Sequence, residues 1–98
     1  MDNPYNVNWS ERSLRNALTI KRYLDDNFSY QEVRQFLQLL EDFETTVAHF
    51  PGLYPQSHNK PHLKMAVLNK NLSLFYTVRK DKIVVVAMQD NRQVNQGL

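Results

Sequence analysis

The chain has 98 residues, no cysteine, 42% hydrophobic and 22% charged residues, two Gly and four Pro, which points to one globular domain over residues 1–98 and excludes disulfides, thiolate metal sites and thiol nucleophiles. The opening MDNPYNVNWS has neither secretory nor transit character, and no apolar run approaches the roughly 18 residues of a membrane span, so a soluble, cytoplasmic protein is expected. The net charge of +2 hides an asymmetry: residues 1–50 carry five cations against eight acids, and residues 51–98 seven cations against Asp81 and Asp90, so the second half suits an anionic partner, nucleic acid or an acidic protein segment.

In chain order, Tyr5, Val7 and Trp9 alternate with Asn6 and Asn8, the period of a short half-buried strand. Ser10 followed by Glu11 starts a helix, with Leu14, Ala17, Leu18 and Leu24 as its buried stripe through about Asp25. Ser29 and Glu32 match a capping box, opening a second helix with Val33, Phe36, Leu37, Leu40, Phe43, Val47 and Phe50 as its apolar face until Pro51-Gly52 stops it. So short a connection folds the helices into an antiparallel hairpin. The aromatics at 28, 36, 43 and 50 are expected in the core. From Pro51 to Pro61 three prolines mark an extended loop, anchored by Leu53 and Tyr54.

Leu63–Leu68, Leu72–Arg79 and Lys82–Met88 then read as strands separated by Asn69-Lys70-Asn71 and Lys80-Asp81, and turns that short impose an antiparallel meander. The fold class expected is α+β: an N-terminal strand, a two-helix hairpin, then a three-stranded meander covered on one face by the helices. If both turns contain an even number of residues, Leu63, Met65, Val67, Leu72, Leu74, Tyr76, Val78, Ile83 and Val85 share the covered face. His62, Lys64, Ala66, Ser73, Phe75, Thr77, Arg79, Val84, Val86 and Met88 then line the open one. Apolar groups rimmed by cations make that face a candidate binding surface.

Few residues suggest chemistry. His58 and His62 are interrupted by Pro61 and lack a companion carboxylate, so no metal site is expected, and no cofactor-binding motif is present. His62 is a candidate general acid or base, and Phe75 could stack on a base.

The opening VNWSERSLRNALTIKRYL, the segment FPGLYP, the run LKMAVLNKNLSLFYTVRKDKIVVVAMQD and the following DNRQ together resemble the RelE/ParE superfamily, the toxins of type II toxin–antitoxin pairs. That resemblance implies a cognate antitoxin as partner and one of two targets. A ParE-like member inhibits DNA gyrase; a RelE-like member cuts messenger RNA on the ribosome. For the nuclease, the resemblance assigns Lys64 and Arg92 to the phosphate, with His62 as a candidate proton-transfer group. Ala66 and Ser73 stand where cations would be expected, and Thr77 where ParE-like chains carry Arg. FPGLYP looks ParE-like, so gyrase inhibition is the preferred expectation, with Phe75, Thr77 and Arg79 as candidate target or nucleic-acid contacts. A non-toxic binding module on the same fold is a third possibility.

Overall fold

The computed structural model describes residues 4–92. The elements run β1 (Asn6–Trp9), α1 (Glu11–Asn27), α2 (Tyr30–His49), β2 (Lys64–Val67), β3 (Leu72–Arg79) and β4 (Lys82–Asp90). The expected α+β order is therefore observed. The sheet order is β1-β4-β3-β2, with β2, β3 and β4 as an antiparallel meander and β1 parallel to β4. The chain reaches that parallel position because α1 and α2 form a crossover between β1 and the meander, as parallel pairing requires. The core joins Ile20 and Leu24 of α1 and Val33, Phe36, Phe43 and Val47 of α2 to Leu72, Leu74, Tyr76, Ile83 and Val85 of the sheet.

Local signals account for the helix starts, but only one cap forms as the sequence suggests. The Ser10 hydroxyl accepts from the Ser13 N–H at 3.0 Å, whereas Ser29 makes no side-chain cap bond. Its partner in the expected box, Glu32, instead turns its carboxylate to Arg92. An ion pair to a guanidinium displaces the weaker, solvent-exposed cap interaction.

The buried stripe of α1 is also rotated from the expected one. Ser13, Ile20 and Leu24 are buried, while Leu14 and Leu18 lie exposed, Leu18 by 65%. Only Ser10 separates β1 from α1, so the helix phase is tied to the sheet. The Ser10 N–H donates to the Val85 carbonyl at 2.9 Å and its hydroxyl to the Val86 carbonyl at 2.9 Å. The Asn16 amide oxygen accepts the Met88 N–H at 3.1 Å. These bonds satisfy β4 backbone that β1 is too short to reach, and an unpaired buried backbone group is costly. Phe28 and Phe50, expected in the core, are exposed, and of the two loop anchors Tyr54 packs on the core while Leu53 is exposed. Both phenylalanines fall at helix C-caps, beyond the last turn that faces the sheet.

The face assignment of β2 is reversed. Lys64 pairs with Tyr76, Met65 with Phe75, Ala66 with Leu74 and Val67 with Ser73, so Ala66 and Lys64 share the helix-covered face and Met65 and Val67 the open one. Ala66 is 0% exposed and Val67 57%. Three residues, Asn69, Lys70 and Asn71, separate Leu68 from Leu72, whose carbonyl accepts the Leu68 N–H at 2.8 Å. An odd turn moves every side chain of one strand to the other face. The Lys80-Asp81 turn is even, and β3 and β4 keep the expected parity as far as Tyr76 opposite Val85. A bulge between Phe75 and Tyr76 then leaves Val86 as the extra residue and brings Met88 opposite Leu74, so Met88 is buried on the covered face rather than displayed.

Candidate functional site

One face of the sheet packs against the helices, and the other is open. Register places its side chains in four rows: Asn6, Lys82 and Arg79; Asn8, Val84 and Thr77; Ala87, Phe75 and Met65; Gln89, Ser73 and Val67. Phe75, Thr77 and Arg79 therefore stand in line along one side of β3, as alternation dictates, and the structure brings these three candidates together. The face has apolar groups in its middle, amides and hydroxyls between them, and charge only in the row beside the β3–β4 turn. Among the described residues, Arg79 and Lys82 are its ionisable members.

The other candidates lie elsewhere. Lys64 is on the covered side, half-buried, with its ammonium donating to the Tyr54 carbonyl at 3.4 Å. It lies in the row of Tyr76, whose ring meets Phe43 and Tyr54 edge to face while those two are tilted against each other, with centroids 5.6–6.2 Å apart. The Tyr76 hydroxyl donates to the Pro51 carbonyl at 2.9 Å, and burial pushes its pKa up to about 12. Thus Lys64 and Tyr76 both tether the FPGLYP loop to the sheet. His62 is exposed in the turn before β2.

Arg92 sits past the end of β4, against the turn between α1 and α2. Its guanidinium meets Asp90 with two parallel bonds, Nε to Oδ1 at 3.0 Å and Nη2 to Oδ2 at 2.7 Å, the strong fork geometry for a carboxylate. Nη1 reaches Glu32 at 3.3 Å, and the plane lies over the Phe28 ring at 5.2 Å from its centroid. The hydrogen bond to Asp90 is the main reason its pKa is raised, with burial opposing. Backbone joins the clasp: the Arg92 N–H donates to Asp90 at 2.8 Å and the Tyr23 hydroxyl to the Arg92 carbonyl at 3.0 Å. Phe28 and Glu32, which the sequence suggests as a core residue and a cap residue, are thus the partners that hold this corner.

A second surface escaped sequence reasoning. Leu14 and Leu18, one turn apart on α1, and Leu37 on α2 are exposed on the helical layer. Because they obey helical spacing, they look like core; only the phase of the docked helix exposes them. Among the described residues no group of three or more His, Asp or Glu is placed to hold a metal, and no helix is long and apolar enough to cross a membrane.

No protein-family model matches the sequence, and no curated protein does so. Solved structures, by contrast, match it nearly end to end. A chain of the chromosomal ParDE toxin–antitoxin system of P. aeruginosa is 9% identical, with a TM-score of 0.74 over 91% of this chain and 98% of its own. A conserved hypothetical protein of Helicobacter pylori is 11% identical, with a TM-score of 0.58 over 92% of this chain and 98% of its own. A chain of the E. coli DinJ-YafQ toxin–antitoxin complex is 10% identical, with a TM-score of 0.51 over 94% of this chain and 98% of its own. At such identities the likeness is one of architecture: over nearly its whole length the chain shares the fold of these solved chains, two of which come from toxin–antitoxin systems.

Proposed function

We propose that the chain is the toxin of a type II toxin–antitoxin pair, ParE-like in action, which inhibits DNA gyrase in the cytoplasm and is neutralised by a cognate antitoxin. The composition of the open sheet face carries this reading. Cutting RNA through its 2′-OH needs a group to take the proton and charge to stabilise the phosphate. Ser73, Phe75, Thr77 and Met65 supply neither, Arg79 and Lys82 bring charge but no group to take the proton, Lys64 is on the other side of the sheet, and Arg92 already faces two carboxylates. What Phe75, Thr77 and Arg79 do provide is a line of apolar, hydrogen-bonding and cationic contacts, suited to holding a macromolecule rather than to transforming one.

The antitoxin reading is supported by Leu14, Leu18 and Leu37, apolar side chains left exposed on the helical layer. An amphipathic helix laid over them would follow a common recognition mode, and a stable complex should bury more than roughly 1,000 Å².

Induced expression followed by analysis of both candidate products tests the proposal. Cleaved DNA trapped on gyrase, with intact messenger RNA, is the expected result. Messenger RNA cut at codon positions without DNA breaks would overturn it in favour of a ribosome-dependent endonuclease using Lys64, Arg92 and His62. Normal growth with neither product would mean a non-toxic binding module.

A further inference from the structure

The turn joining β3 to β4 concentrates charge in a way that works against its own stability. Arg79, Lys80 and Lys82 against Asp81 give these four residues a net +2. All four are exposed, and no carboxylate among the described residues lies within 4 Å of the three cations. Arg79 and Lys82 are directly opposed across the hairpin, an arrangement in which like charges repel. Lys80 occupies the left-handed region at φ 51°, where Gly or Asn is the unstrained choice for a two-residue hairpin turn. Two unfavourable choices at one exposed tip, both of which place cations there, point to a ligand outside the molecule.

We infer that this tip binds the phosphate backbone of duplex DNA, Arg79, Lys80 and Lys82 each meeting one phosphate. Arg79 can present two donors to a phosphate and the lysines act as point charges. The neighbouring side chains on the open face, Asn6, Asn8 and Thr77, are neutral hydrogen-bonding groups that reach sugar and phosphate oxygens equally well. Neither the tip nor the row behind it holds an aromatic ring, and Phe75 lies four residues back along β3, roughly 13 Å away at about 3.3 Å per residue. Single-stranded RNA is gripped by stacking its splayed bases on such rings, so the intact duplex is the better match. The proposal rests on the gyrase reading only for where the duplex comes from.

The test titrates the full chain onto a fluorescein-labelled 20-base-pair DNA duplex by fluorescence anisotropy at several salt concentrations, with a 20-nucleotide single-stranded RNA and a polyglutamate competitor as further arms. Three phosphate contacts predict micromolar to sub-millimolar binding whose logarithm falls with log salt at a slope of about −2.7, near 0.9 per contact. Arg79→Ala, Lys82→Ala and Lys80→Asn should each flatten the slope to about −1.8 and weaken binding about 8-fold at 0.1 M salt on the same relation. Lys80→Asn should at the same time leave the melting temperature unchanged or raise it, since strain and repulsion are relieved. No duplex binding at 50 mM salt by protein with an unchanged melting transition would overturn the inference. So would an unaltered slope in the triple variant, tighter binding to the RNA, or polyglutamate displacing DNA at lower charge concentration than DNA itself. Duplex binding and gyrase inhibition that both survive unchanged in the triple variant would reject the tip and keep the gyrase reading; tip-dependent DNA binding without gyrase inhibition would do the reverse.

Discussion

Replacing Arg92 by Ala separates a structural clasp from a phosphate ligand, because the two roles predict opposite outcomes. Asp90 has a side chain that is 0% exposed, and of the three hydrogen bonds its carboxylate accepts among the described residues two come from the Arg92 guanidinium. Removing that group leaves a buried carboxylate with one backbone N–H for company. Stranding one member of a buried ion pair costs about 3–5 kcal/mol, and the surviving N–H together with water entering the vacated site puts this variant near the lower end, about 3 kcal/mol. The lost contacts to Glu32 and Phe28 act in the same direction, and both release the turn between α1 and α2 from the end of β4. For a domain of this size each kcal/mol shifts the melting temperature by roughly 4–8 °C, so a fall of about 12–24 °C is expected. Arg92→Lys keeps a charge but loses the fork and the ring contact, and should fall by less. Asp90→Asn combined with Arg92→Ala removes the stranded charge and should recover part of the loss. Thermal melting with urea denaturation at constant m value provides the measurement. A melting temperature within about 3 °C of the parent, accompanied by loss of toxicity, would refute the clasp and return Arg92 to the phosphate.

Three further outcomes follow from the geometry. Leu18→Glu should abolish co-purification with the antitoxin while changing stability by less than about 0.5 kcal/mol, as for exposed sites generally; retained binding would move the antitoxin off the helical layer. Ala66→Leu should cost about 1–3 kcal/mol by overfilling the core and Val67→Lys almost nothing, and the opposite ranking in denaturant midpoints would disprove the β2 register. Tyr76 is held neutral in the fold, with its pKa raised from 10.0 to about 12. The stability this contributes is complete below about pH 10, the unfolded value, and is lost as pH rises towards 12. The loss approaches roughly 3 kcal/mol. Tyr76→Phe should flatten that alkaline decline in a pH series of urea midpoints, and an unchanged decline would assign it to another group.

Much of the architecture can be read from the residues in order, because it depends on neighbours. Apolar spacing at Val33, Phe36, Phe43 and Val47 produces α2, Ser10 caps α1, and the short meander turns force antiparallel pairing. The candidate line Phe75, Thr77 and Arg79 is legible for the same reason: residues two apart on a strand share a face wherever that strand lies. The placement of Lys64 was in principle also legible, since counting Asn69, Lys70 and Asn71 as an odd turn puts it beside Tyr76. The remaining features needed the tertiary structure. Leu14 and Leu18 satisfy helical spacing as well as Ile20 and Leu24 do, and only the bonds from Ser10 and Asn16 to the backbone of β4 select which stripe is buried. The same docking accompanies the bulge at Val86 that turns Met88 inward. Arg92 joins Asp90, two positions away, to Glu32, sixty positions away, and no local pattern announces a partner at that separation. Long-range polar contacts of this kind are decided by where whole elements meet, because the energy of a buried charge depends on its surroundings in space and not on its neighbours in the chain.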